Sequence, residues 1–397
     1  MPVRSSRRLL MAAATVSTLL VVTGCSNGGD NSSSTGATST ATAATGSPQS
    51  LRGVCPDRIV FQKDWQPESE HGVLYNLVGA NPTIDTNKKK VIGQLVSEGV
   101  DTGVQIEIRT GGPAVGFQPV PALMYLDKAI NIGFVATDES IQYSANQPTT
   151  AIVAQLDVSP LAIIWDKKEH PDFNSIADVG QTDTPVLYTQ GLTYMSYLTG
   201  AGILRQSQLN GSYTGAPDLF LQSKGKAAIQ GFATSEPYLY EKEIKAWGRP
   251  MDFQLVNDTG YPSYFSSMSI RSGDKEKLAP CLKKLVPILQ RSQVEFVQSP
   301  DRAIKLIVDL VKKYNTGWVY SEALAKFSAE QMRTQGIVAN GNDKTLGNFD
   351  QARLEKILKV CVPIFTSQKK AAKPGLTPDD IATNEFIDPG IGLPASK

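Results

Sequence analysis

Arg58-Ile59-Val60-Phe61-Gln62 runs into Lys63-Asp64-Trp65-Gln66-Pro67-Glu68-Ser69-Glu70-His71-Gly72-Val73-Leu74-Tyr75, and this junction sets the fold class. A short apolar run bounded by polar residues reads as a strand. A polar loop with two flat aromatics follows, and then the start of a helix. The same alternation recurs along the chain. Strand-like runs fall at 104–109, 130–136, 151–156, 162–165, 185–188, 227–233, 253–256 and 267–271. Helical patterns fall near 75–79, 117–126, 193–201, 217–224 and 238–246. Strand–helix alternation argues for α/β lobes with mainly parallel sheets. Beyond Ser272 the pattern is helical throughout: Ile304, Ile307, Val308 and Val311 follow the i, i+3, i+4, i+7 spacing. Further helices are expected at 321–335 and 350–365, giving a helical wrap over the α/β body. The Pro- and Gly-rich stretch 374–397 reads as an irregular tail.

The chain has 397 residues, more than one small core accommodates. Its 39 Lys+Arg against 38 Asp+Glu give no global basic field, so nucleic acid is not an expected partner. Four Cys and two His leave little material for a metal site, and neither metal nor cofactor is expected.

The N-terminus reads as an address. Arg4, Arg7 and Arg8 precede an apolar run, Leu9–Val22, too short to span a bilayer. Val22-Thr23-Gly24-Cys25 resembles a bacterial lipobox, with residues 1–24 as signal peptide and Cys25 as the lipidated (palmitate-type) thiol. Ser6-Arg7-Arg8 resembles a twin-arginine signal, but its continuation is loose, and both export routes stay open. Cleavage removes three Arg and no acid, turning a formal +1 into −2. Between Ser26 and Ser50, 20 of 25 residues are Ser, Thr, Gly or Ala, so residues 25–50 read as a lipid-anchored tether. Its reach is about 25–30 Å. Cys55, Cys281 and Cys361 remain. Cys281 and Cys361 each sit in an apolar helical stripe and suit plain core thiols; Cys55 has no such stripe. Export permits a disulfide, and Cys55–Cys281 is the expected pairing, with Cys361 free.

Five loops could carry a site. In open α/β sheets ligands bind at the carboxyl ends of strands. There the first loop offers Trp65 and Tyr75 for stacking, with Glu70 and His71 as polar partners. Its plain reading is a strand–helix loop with a buried Trp. Gly111-Gly112 allows close backbone approach, or is simply a turn. Asp138 and Glu139 follow another strand as acceptors or as helix-capping residues. Glu236 and Tyr238 stand at a polar corner beside Pro237, and Tyr261 where the chain crosses back between lobes.

An export signal, a lipobox Cys, a Ser/Thr tether and this α/β order resemble the solute-binding lipoproteins of bacterial ABC importers. Within them, the group handling nitrate, sulfonates, taurine and thiamine pyrimidine precursors is most similar. Trp65-x-Pro67-x-x-x-His71-x-x-x-Tyr75 resembles a segment of the pyrimidine-precursor branch, and phrases around Gly111-Gly112, Asn131-Ile132-Gly133, Ser235-Glu236-Pro237-Tyr238, 345–350 and 384–389 resemble the wider group. Glu68 and Glu70 depart from that branch. The resemblance implies a two-lobed periplasmic-binding-protein-like (type II) α/β fold, with the C-terminal helices on the first lobe. Lobe one would hold 51–158 and 258–397, and lobe two 159–257. It also implies a monomer at the extracytoplasmic face of the cell membrane, delivering a small solute to permease and ATPase subunits.

The acid-rich loops suit a flat nitrogen heterocycle, such as a thiamine pyrimidine precursor, better than nitrate, a sulfonate or taurine. No G-x-S-x-G or H-E-x-x-H element is present, and the Cys-rich cluster of eukaryotic pyrimidine-making relatives is missing, so an enzyme is not expected. A surface adhesin or receptor on the same tether is the reading from another class.

Overall fold

The computed structural model describes residues 40–370 and 372–394. The signal segment and Cys25 lie outside the described residues. Among the described residues thirteen strands form two sheets. The first contains β1 (Ala41–Thr42), β2 (Arg58–Gln62), β3 (Thr83–Asp85), β4 (Lys90–Ser97), β5 (Val100–Arg109), β6 (Ile132–Val135), β7 (Thr149–Val153) and β13 (Ser267–Arg271). The second contains β8 (Leu161–Asp166), β9 (Val186–Leu187), β10 (Leu209–Asn210), β11 (Ala228–Phe232) and β12 (Met251–Leu255).

Two lobes follow one plan. The first sheet runs β3-β4-β5-β2-β6-β13-β7, with β1 on β5; the second runs β10-β9-β11-β8-β12. In each, the strand entered directly after a crossing between lobes inserts antiparallel between two others. β13 lies antiparallel between β6 and β7, and β8 between β11 and β12. This is the two-lobed periplasmic-binding-protein-like architecture.

Both sheets are mixed rather than mainly parallel. Besides the returning strands, β3, β4 and β5 form an antiparallel meander. Its β4–β5 turn is Glu98-Gly99, both at positive φ (51° and 78°), the primed two-residue turn whose twist matches paired strands. Composition places residues 25–50 in the tether, but the described part packs on the body: β1 pairs in parallel with β5, and Ser50 is buried.

The first lobe's core joins its sheet to helices Lys275–Gln298, Asp301–Tyr314 and Glu322–Thr334. Cys55 and Cys281 form a disulfide that ties the segment before β2 to the first of these helices. Cys361 is free and buried. In Asp301–Tyr314 the buried stripe is Ala303, Ile304, Ile307, Leu310 and Tyr314, with Val308 and Val311 at its margins. The fourth helix, Gln351–Ser367, is capped by the Asp350 carboxylate, which accepts from the Arg353 amide. Its stripe of Leu354, Ile357, Leu358, Cys361 and Phe365 reaches both lobes. It shares a cluster with Ile141 and Ala151 of the first lobe and with Tyr194, Met195 and Leu198 of the second.

Candidate functional site

β2, β5 and β6 point their carboxyl ends at one crevice, and the loops after them form its first wall. The corner after β11, the loop after β9 and the crossing segment near Tyr261 form the second. Together they enclose a cavity of about 380 Å³. Trp65, Gly112, Asp138, Glu139, Glu236 and Tyr261, six of the residues singled out in the sequence, line it. Glu70, His71, Tyr75, Gly111 and Tyr238 do not line it. Each has other partners in the structure.

Tyr75 is 1% exposed and sits in the first lobe's core, with the Lys63 ammonium 5.2 Å from its ring. The helical turn over Gly72–Tyr75 sets the ring in the core, outside the cavity lining. Gly111 is a packing glycine: a Cβ there would collide with the Lys63 carbonyl. Gly112, at φ 58°, lies against Trp65, where a Cβ would stand 2.7 Å from indole Cε3. The pair therefore makes room for the loop Lys63–Trp65. Tyr238 packs on Phe327, with ring centroids 4.8 Å apart.

Behind the wall lies a buried polar cluster. His71 Nε2 is 2.7 Å from Asp64 Oδ1. Burial, then the neighbouring Lys63, pushes the imidazole down to about 4, so it is neutral and donates Nε2–H to Asp64. Burial works against the Asp64 charge, but donation from His71 and from the Ser266 hydroxyl, with Lys63 nearby, holds that carboxyl below its ordinary value. Lys63 is fully buried, donates to the Gln66 carbonyl at 2.6 Å, and stands 3.4 Å from His71 Nδ1. Burial pulls it down to about 7 against the attraction of Glu68, Asp64 and Glu70.

The remaining carboxyls have less compensation. Burial, then repulsion from Glu70, raises Glu68 well above its ordinary value. Burial also raises Glu70, although the Thr234 hydroxyl donates to it. Glu236 is pushed up to about 7 by burial, despite accepting from the Phe232 amide at 2.6 Å. Glu139 rises to about 8 through burial and the adjacent Asp138, although its carboxylate caps the Ala136 amide. Asp138 accepts from Ser263 Oγ (2.7 Å) and Tyr261 Oη (2.9 Å), which fixes both crossing residues.

Several wall residues carry no local signal in the sequence. Trp318 arrives from beyond helix Asp301–Tyr314 and meets Trp65 edge-on at 6.2 Å. Phe117, held at φ 58°, tilts against Trp65 at 6.0 Å. Between them these rings orient the indole. Lys63 was legible in principle, as a cation directly after an apolar strand and before a run of acids.

The second lobe closes on the first at this side. The Ser328 hydroxyl of the first lobe donates to the Thr234 carbonyl at 2.7 Å, and the Thr234 hydroxyl reaches Glu70. The arrangement encloses a small molecule between an aromatic wall and a set of carboxyls. Among the described residues no metal-ligand cluster is found.

No protein-family model matches the chain, and no curated protein sequence does. Solved structures do match in fold. A protein from Bordetella bronchiseptica RB50 aligns with 13% identity and a TM-score of 0.51, covering 83% of this chain and 96% of that one. The alkanesulfonate-binding protein SsuA from Xanthomonas axonopodis pv. citri, bound to MOPS, aligns with 9% identity and a TM-score of 0.51, covering 83% and 99%. The periplasmic aliphatic sulphonate binding protein SsuA from Escherichia coli aligns with 12% identity and a TM-score of 0.50, covering 86% and 96%. At these identities the likeness is one of fold.

Proposed function

We propose that this chain captures a small flat nitrogen heterocycle, of the thiamine pyrimidine precursor type, and delivers it to an ABC importer. One observation carries the reading. A cavity of about 380 Å³, enclosed by two lobes, sets the Trp65 indole and other aromatic rings opposite five carboxyls, Asp64, Glu68, Asp138, Glu139 and Glu236. Pockets of this kind take affinity from apolar enclosure and orientation from a few polar groups. A ring with N–H donors matches both sides of such a wall. Closure of two lobes over the solute would supply the change a permease senses. The lipobox at Cys25 and the tether place the body at the extracytoplasmic membrane face in this reading.

An alkanesulfonate is the competing solute, because two fold neighbours are named for it. The wall chemistry speaks against it. Among the described residues that line the cavity, Lys370 is the one basic side chain, and an anion would face the five acids. Tryptophan fluorescence and thermal shift against a panel of heterocycles and sulfonates test the choice. A saturable heterocycle recovered unmodified supports the proposal, and Trp65→Ala should then weaken it by about 2 kcal/mol, roughly 30-fold. Turnover of the ligand, preference for a sulfonate, or an unchanged affinity in Trp65→Ala would overturn it.

A further inference from the structure

Resting on the solute-capture reading, we infer that the solute is bound as an organic cation, its positive nitrogen compensated by Glu68 and Glu236 beside the Trp65 indole.

The first ground is an orphaned acceptor. Glu68 lines the cavity, is 2% exposed, and its Oε1 has no hydrogen-bond partner among the described residues. The group facing that oxygen is His71 Nδ1, 3.4 Å away. Because His71 is neutral and commits its N–H to Asp64, Nδ1 is an acceptor, and an ionised Glu68 finds no donor there. Buried polar atoms are almost always satisfied, and this one belongs to a residue that lines the cavity. Ser235 Oγ, also in the wall, is likewise without a partner.

The second ground is charge. Glu68, Glu70 and Glu236 act on one another electrostatically, and Glu68 also feels Asp64. The nearest cation is Lys63, behind the wall, which donates to the Gln66 carbonyl and is shared with Asp64 and Glu70. Lys370 is exposed, so the charge it brings to the cavity is screened by solvent. A neutral N–H donor would satisfy the orphaned oxygen but leave the buried Glu68 and Glu236 without a compensating charge when they ionise. A cation does both.

The third ground is the aromatic wall. Trp65 is oriented by Phe117 and Trp318, and Phe232 and Phe265 form an edge-to-face pair at 5.5 Å in the same wall. Ring faces attract cations through their quadrupoles, most strongly at Trp and in desolvated sites.

Matched pairs test the inference by calorimetry on the purified chain. One pair is an aminopyrimidine ring carrying an aminomethyl arm, cationic at neutral pH, against the same ring carrying a hydroxymethyl arm. The other is ring-N-methylated nicotinamide against nicotinamide. The cation of the preferred pair should bind at least about tenfold tighter. Glu68→Gln and Glu236→Gln should each cut that preference by about tenfold. The preference is a ratio within each variant, so a general loss of fold leaves it unmoved. In Glu236→Gln the amide oxygen can still accept from Phe232. Equal or tighter binding of the neutral member, or a preference unchanged in both variants, overturns the cation while the heterocycle reading stands. Binding of none of the four compounds overturns both.

Discussion

At the residue scale, Glu236 shows how the site taxes the fold. Its carboxyl rises from 4.5 to about 7 on folding, chiefly because it is buried. Between those values the folded chain holds a proton that the unfolded chain has lost. Stability from this group is therefore complete below about pH 4.5 and is lost as pH rises through about 7. Glu139, raised to about 8, adds a slope of the same sign, while Lys63, lowered to about 7, adds an opposite slope above pH 7. Subtracting the parent from Glu236→Gln removes both. The variant should match the parent in urea melts at pH 5 and exceed it at pH 8 by roughly 2 kcal/mol. An equal difference at the two pH values would contradict this. Glu236, Asp138, Glu139 and Trp65 were legible because each stands just past the carboxyl end of a strand. Tyr75 was not, because one helical turn after the same strand rotates it into the core. Trp318 lies some 250 residues from Trp65, and no local pattern announces a contact at that separation.

At the element scale, helix Gln351–Ser367 joins what the cleft divides. Arg353, in its first turn, donates to the Asp157 carbonyl (2.7 Å) on one crossing and to the Pro262 (2.8 Å) and Ser263 (3.0 Å) carbonyls on the other. Its guanidinium also lies 3.7 Å from the Tyr264 ring centroid. One fork thus pins both connections between the lobes. A lysine ammonium cannot reproduce three divergent bonds and a stacked plane. Arg353→Lys should lose about 2 kcal/mol of stability and raise amide exchange at both 154–160 and 256–264. Faster exchange at one crossing alone would contradict the shared clamp. The helix itself was readable from its 3.6-residue apolar period, but its partners were not: a stripe says that something is covered, not which lobe covers it. The same limit hid β4. Its exposed Gln94 and internal Gly93 weaken the strand pattern, and Glu98-Gly99 is a less familiar hairpin signal than Asn-Gly. β2 and β13, short and buried with clear boundaries, could be read to the residue.

At the scale of the whole molecule, the Cys55–Cys281 disulfide closes a loop across a sequence separation of 226. That loop contains the entire second lobe and all but β1 of the first sheet. Its two ends nevertheless lie in one lobe, in the core that joins the start of the body to helix Lys275–Gln298. The bridge therefore does not span the cleft, and neither cysteine lines the cavity. Its effect should fall on the unfolded chain, where closing so long a loop removes conformational freedom worth roughly 5 kcal/mol in the chain-entropy account. The Cys55→Ser/Cys281→Ser double variant should unfold at markedly lower denaturant yet bind its solute within about threefold of the parent, since about 0.6 kcal/mol is the most a remote core change need transmit. Reductant should lower the parent's midpoint toward that of the variant and leave the variant unmoved. A midpoint unaffected by either treatment would remove the bridge from the fold's stability. A large loss of affinity would instead mean that the first lobe's core sets the geometry of the cleft, because a tie that lies wholly on one side of a hinge can alter binding only by moving the wall it supports.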